Sequence, residues 1–317
     1  MIGKLLRSFG LLALIATFPA AGQQSTSVVL GTATTGGGFE IYGAALATTI
    51  SEVDPQLKID IRKTAGSLEN IKLLESGQLD LALVQGEATH DAFSTYAEQD
   101  PMFRIVAAMY PTAGMFVVRA DSPYRTIDDL KGHPVVFGAR GSGLVTLAHY
   151  VLEGMGLDIN RDFQAITLDR AGDAPAMLQD GRVAAIWGGG RGWPVFTAAM
   201  NMPGGGRFIA PDPKQIIRIL VRHPFLKKQT LSPDTYPGQT IAIESVGSWS
   251  FILARQGLPR DVVYRFCRAL DNGRTRFAEL LPQASDSTIE NTITALERRE
   301  LLHPGARRYL EERGVLK

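Results

Sequence analysis

A chain of 317 residues exceeds one small domain and falls short of three, which points to two lobes of ordinary size. Hydrophobic residues make up 45% and charged residues 21%, a balance that excludes a disordered chain and a polytopic membrane protein. The 33 basic and 32 acidic side chains leave a net charge of +1 and the only cysteine is Cys267, which argues against a nucleic acid partner and excludes an internal disulfide and any multi-cysteine metal site.

Residues 1–22 begin with Lys4 and Arg7, continue through an apolar run at 9–18 and end on Pro19, Ala20, Ala21 and Gly22. A basic start, a short apolar centre and small residues ahead of Gln23 read as a secretory signal peptide. A membrane span needs roughly 20 apolar residues, twice this run, and no cysteine follows it for lipid attachment. The expected product is a soluble, exported chain, periplasmic where the source has two membranes. Export disfavours nucleotide-driven chemistry, and no cofactor is expected.

The rest alternates short β-rich runs with helical patterns, which predicts an α/β architecture with mostly parallel sheets. Strands are predicted at 28–31, 57–62, 79–84, 104–109 and 115–119, with a first helix carrying Phe39, Tyr42, Leu46, Ile50 and Val53 at helical spacing. A second set follows, with strands at 134–137, 165–168 and 184–187 and helices near 144–155 and 173–179. A polar, proline-containing stretch at 229–239 precedes a strand at 240–244. Beyond it the sequence reads as helical to the end, broken at Gly273, Pro282 and Pro304.

LESGQLDLALVQG at 74–86 corresponds to LQDGRVAAIWGGG at 178–190, matching Leu74 with Leu178, Gly77 with Gly181, Leu79 with Val183 and Gly86 with Gly190. Both read as a helix ended by a glycine, a tight turn and a buried strand. The match fits two lobes of one topology, and equally fits the devices every α/β unit shares. Two other turns share a chemistry: Thr64, Ala65, Gly66 and Ser67 lead into LENIKLL, and Gly138, Ala139, Arg140, Gly141, Ser142 and Gly143 lead into LVTLAHYVLE. Ser67 and Ser142 either cap their helices or, with the free amides beside them, hold an anion between the lobes.

Catalytic motifs are missing. GTATTGGG at 31–38 lacks the lysine and hydroxyl residue of a phosphate-cradling loop, no G-x-S-x-G or H-E-x-x-H occurs, and the histidines are scattered without ligand spacing. Neither an enzyme nor a metal site is expected, and Cys267, on a helix beside Phe266, reads as a small buried hydrophobe.

With these residues in view the chain resembles the TAXI-family solute receptors of TRAP transporters. The resemblance rests on GTATTGGGFEIYG at 31–43, TAGSLENIKLLESGQLDLALVQGE at 64–87, the run from Met109 to Gly143, TYPGQ at 235–239, LPRDVVYRFCRAL and HPGARRYLEERG at 303–314. It departs from that family at Arg140, where proline is usual, at Leu144, where threonine is usual, at Gly86 and Glu87, which replace serine and aspartate, and in the glycine-rich GGGRGWP at 188–194. The resemblance implies a type II periplasmic-binding-protein fold, two lobes with two crossings: residues 23–119 and 240–317 form lobe 1 and residues 120–239 form lobe 2. It also implies a monomeric receptor that closes on a small organic anion, such as glutamate or another carboxylate, and delivers it to a TRAP membrane permease.

Thr32, Thr35, Gly36 and Gly37 are expected to offer donors from the first loop, and Tyr42 either a ring wall or plain core packing. Ser67 and Asn70 are expected at the next helix start, with Gln85 at the following strand end. Arg140 is the main charge-pairing candidate, beside Ser142 and Gly143. Trp187 and Arg191 lie on the matching strand end, and Trp193 is a candidate wall. Glu69 reads as first-turn support for its helix, and Glu87 is left open. Alternatives are an ABC-type binding protein for a neutral or aromatic ligand and a ligand sensor. A porphobilinogen deaminase, of the same general fold, fails on the signal peptide and on Cys267 lying mid-helix.

Overall fold

The computed structural model describes residues 25–96 and 99–316, so the expected signal peptide lies outside the described residues. A first run comprises β1 (Thr26–Gly31), α1 (Gly38–Val53), β2 (Leu57–Arg62), α2 (Ser67–Glu75), β3 (Leu81–Val84) and α3 (Gly86–Ser94), and leads into the long strand β4 (Phe103–Arg119). A second run comprises β5 (Pro134–Ala139), α4 (Gly143–Met155), the short α5 (Ile159–Asp162), β6 (Gln164–Leu168), α6 (Ala174–Gln179), β7 (Ala185–Gly189) and α7 (Pro194–Asn201). β8 (Gly206–Ile209), α8 (Pro213–Arg222) and β9 (Lys227–Leu231) then lead to a second long strand, β10 (Ile243–Arg255). The helices α9 (Arg260–Asn272), α10 (Arg274–Leu280), α11 (Ile289–Ala295) and α12 (Pro304–Glu312) follow.

The strand order is β2-β1-β3-β10-β4-β7-β5-β6, with β8 on β4 and β9 on β10. The order is a near-palindrome: β1 pairs in parallel with β2 and β3, as β5 does with β6 and β7, and the antiparallel strands β4 and β10 lie between the halves. The matched segments recur as structure. Gly77 and Gly181, at φ of 70° and 73°, stop α2 and α6 with N–H bonds to Leu74 O at 3.0 Å and Leu178 O at 3.2 Å. The strands that follow, β3 and β7, hold equivalent places.

Both interlobe crossings run inside strands. β4 pairs with β10 through Ala113 and with β7 from Gly114, whereas β10 pairs with β9 up to Gly247 and with β3 from Phe251. The boundary expected at 119/120 thus lies after the change of pairing in β4, and that at 239/240 lies before the change in β10. The two strands expected at 104–109 and 115–119 are one, because Pro111 falls at a register shift between Trp249 and Phe251, where a missing N–H breaks no regular ladder. Residues 245–255, expected to be helical, form most of β10. Gly247 lets this strand approach β4 closely, since a Cβ there would stand 1.7 Å from Thr112 O.

One core lies around sheet and helices in the first half, with Leu30, Leu46, Leu83 and Phe266 buried together. The second half has a cluster on each face of its sheet: Phe116, Phe137 and Trp187 on one, Met115, Ile186 and Phe196 on the other. These cores fix the strand ends, and the strand ends fix the site.

Candidate functional site

The parallel strands of both halves deliver their following helices to one cleft, as open α/β sheets place ligands at the carboxyl ends of their strands. Five N-cap residues line it: Gly37 of α1, Gly66 of α2, Gln85 of α3, Ser142 of α4 and Trp193 of α7. Of these only Ser142 caps with its side chain, accepting from Leu144 N at 3.2 Å. The other four make no side-chain cap bond, so the positive ends of their dipoles are directed at the cleft, although Pro194 of α7 has no N–H and the Leu68 N–H of α2 is taken by Gly141 O.

Two buried polar side chains add to the amides. Ser67 Oγ accepts from Gln85 N at 3.0 Å, which leaves its O–H to donate. Gln85 is 4% exposed, with Oε1 on the side of Gly143 and its amide interacting with the neighbouring Glu87 carboxyl. Phe39, Tyr110, Thr112 and Trp193 complete the walls, and no residue lining the cleft is charged. Glu87, just behind Gln85 in the first turn of α3, is fully buried, with Oε1 accepting from Ser248 Oγ at 2.8 Å. Burial pushes its carboxyl up to about 7, which keeps a fixed anion away from the cleft below that pH.

The lobes are in contact across the cleft. Leu68 N donates to Gly141 O at 3.2 Å and Ala171 N to Thr34 Oγ1 at 3.4 Å. A Cβ on Gly143 would stand 2.5 Å from Gln85 Cβ and 2.8 Å from Ser67 Oγ. About 60 Å³ remains inside, room for a head group of a few heavy atoms.

Of the residues expected at the ligand, Gly37, Ser67, Gln85, Ser142 and Gly143 line the cleft, as does Trp193. The others do not. Thr32 is buried with Oγ1 donating to Arg62 O, and Thr35 and Gly36 form the rim, where Gly172 N donates to Thr35 O and Gly36 N to Glu40. Tyr42 is core, its hydroxyl 2.8 Å from Ser287 Oγ, and Trp187 is buried with Nε1 donating to Leu144 O at 2.8 Å. Asn70 joins strands: its Nδ2 donates to Thr32 O and Leu83 O, both at 2.8 Å. Arg191 donates to Pro282 O, Ser285 Oγ and Asp286 Oδ2. The Arg140 side chain is 76% exposed and lies 3.9 Å from Asp169, outside the lining; a short turn that aims Ser142 and the helix start inward aims its guanidinium outward. Sequence reasoning missed Thr34, Gly38 and Phe39 in the first turn region and Tyr110 and Thr112 on β4, which only the bulge at Pro111 hints at.

Among the described residues no group of three or more His, Cys, Asp or Glu could hold a metal ion, and no helix is long and apolar enough to cross a membrane.

An aliphatic sulfonates-binding protein of Escherichia coli (strain K12) is 32% identical over 160 residues, 49% of this chain and 46% of that protein, so the match spans about half of the relative. Among solved structures, the periplasmic binding protein BugD aligns over 92% of this chain and 98% of its own at 15% identity, with a TM-score of 0.56. The substrate binding protein of an amino acid ABC transporter aligns over 82% and 99% at 14% identity, with a TM-score of 0.51. These likenesses establish the two-lobe binding-protein fold. The model of the NMT1-like family matches residues 30–314, nearly all of the described chain, and the protein belongs to that family.

Proposed function

We propose that this protein is an extracytoplasmic solute-binding protein that holds a small organic sulfonate by its head group in the interlobe cleft and presents it to a membrane permease. The carrying observation is the convergence of five helix N-termini on a cleft without a charged side chain. A sulfonate is a permanent monoanion with three acceptor oxygens, which suits donors arriving from several directions. A carboxylate is planar and favours a bidentate arginine, and the lining contains none. The name of the curated relative agrees with this choice. The organic-anion class drawn from the TAXI resemblance is retained and its carboxylate member is displaced.

The test is calorimetry on protein stripped of ligand by unfolding and refolding, with ethanesulfonate against propionate. Ethanesulfonate is expected to bind at least about tenfold more tightly, with little change between pH 5 and pH 7. Tighter binding of propionate, or of a neutral aromatic, would overturn the sulfonate assignment.

A further inference from the structure

A second cavity, of about 660 Å³, lies on the other side of α3 from the cleft. Gln85, at the start of α3, lines the cleft, while Gly86, Thr89, His90 and Phe93 of the same helix line the second cavity. Its floor is the crossing strands, through Ile105 of β4 and Ser248, Trp249 and Phe251 of β10. Its far walls come from Phe225 and Lys227 beside β9 and from residues 294–301 after the start of α11. Both halves of the molecule therefore contribute, and the His90 ring stacks on Phe225 at 3.9 Å and 6° where they meet.

The chemistry of the walls is divided. The interior is apolar and aromatic, built by Phe93, Ile105, Trp249, Phe251 and Leu301. Exposed cationic side chains, Lys227 and Arg298, stand at the edge. The carboxylate there, Glu297, is engaged by His90 at 3.5 Å and held below its usual range by that ring and by Lys227 and Arg298; Lys227 Nζ donates to the backbone carbonyl of Pro224, and Arg298 makes a long, exposed pair with Glu300 at 3.5 Å. The size falls in the range of small-molecule sites, and an apolar interior with a few polar groups at one end fixes a ligand's orientation.

The geometry points to a second ligand site, separate from the cleft, for an amphipathic monoanion: a medium-length alkyl or aryl-alkyl chain seated between Trp249, Phe251 and Leu301, with its acid group at Lys227 and Arg298. The cleft, at about 60 Å³, has no room for such a chain, so the two sites sort ligands by size.

The probe is decanoate, titrated into the purified protein by calorimetry and by tryptophan fluorescence, with Trp249→Phe identifying the part of the signal that arises in this cavity. One molecule is expected to bind per chain, with decylammonium at least about tenfold weaker. Ala295→Trp, which fills the cavity from its wall, is expected to abolish decanoate binding while ethanesulfonate binds as before. Lys227→Glu with Arg298→Glu, both exposed and free of core packing, is expected to weaken decanoate about tenfold or more and to close the gap with decylammonium. Circular dichroism checks that each variant is folded. No binding of decanoate up to millimolar concentration, displacement of decanoate by ethanesulfonate, or equal affinities in wild type and both variants would each overturn the site. Failure of ethanesulfonate to bind, with decanoate behaving as described, would count against the cleft assignment alone.

Discussion

The Glu87 carboxyl is fully buried, with Oε1 accepting from Ser248 Oγ and the Gln85 side chain and its own backbone N–H nearby. An acid raised from 4.5 to about 7 on folding keeps a proton that the unfolded chain releases. Stability from this group is therefore full below pH 4.5 and declines as pH rises to about 7, by at most about 3 kcal/mol. His303 works in the opposite sense: burial lowers it to about 4, so it costs stability as pH falls below 6.5. Comparing Glu87→Gln with wild type cancels the histidine. Urea unfolding at pH 5 and pH 8 is expected to show the variant losing less stability than wild type across that interval; parallel losses would mean that Glu87 is not protonated in the fold. Arg140 calls for a second test at this scale. With its guanidinium out in solvent near Asp169, Arg140→Ala is expected to change ethanesulfonate affinity by less than about twofold, since exposed pairs of this kind contribute little. A loss of tenfold or more would place the side chain at the ligand after all. Asn70 shows why residue roles were hard to assign from sequence: an amide at a helix start looks like a ligand donor, and only the register of β1 and β3 reveals that it satisfies two strand carbonyls.

Elements were more legible than residues. Helix periodicity and the glycine turns before LENIKLL and LVTLAHYVLE place α2 and α4, and the structure brings both N-termini to one cleft. The long strands were the failure, because a proline inside β4 reads as a break and the Ser-Val-Gly-Ser-Trp-Ser run of β10 reads as the start of a helical stretch when the partner strand is unknown. Their pairing is non-local, joining residues more than 130 positions apart, and no window of sequence contains it. Where α4 begins, the fit between lobes is tight enough to test by one methyl group. Gly143→Ala would place Cβ against Gln85 and Ser67 of the opposite lobe, while alanine in a helix is no worse than glycine. The variant is expected to fold with wild-type stability and to lose ethanesulfonate affinity about tenfold or more, the cost of overpacking falling on the closed form alone. Wild-type affinity would mean that ligand is held without this contact.

At the scale of the molecule, the palindromic strand order makes β4 and β10 the shared spine of two similar halves, so the closure required by the proposed function would bend two strands and rearrange neither core. What holds the halves together beyond that spine is a small set of contacts, and Arg191 supplies the one best placed to act as a latch. It leaves the loop after β7 and reaches residues 282–286, which lie beyond α10, with bonds of 3.2 Å to Pro282 O, 2.9 Å to Ser285 Oγ and 3.3 Å to Asp286 Oδ2. Both members of the ion pair are substantially exposed, at 45% and 33%, so the latch is worth on the order of 0.5–1 kcal/mol. A contact made only in the closed form multiplies the closed population by the same factor, and ligand affinity follows. Arg191→Ala is therefore expected to weaken ethanesulfonate binding about two- to fivefold, chiefly through faster release, without moving the urea midpoint of the ligand-free protein by a comparable amount. Stopped-flow release rates separate the cases: an unchanged off-rate would show that Arg191 holds the loop after β7 to its neighbour in open and closed forms alike, and the closing strands would then need no latch.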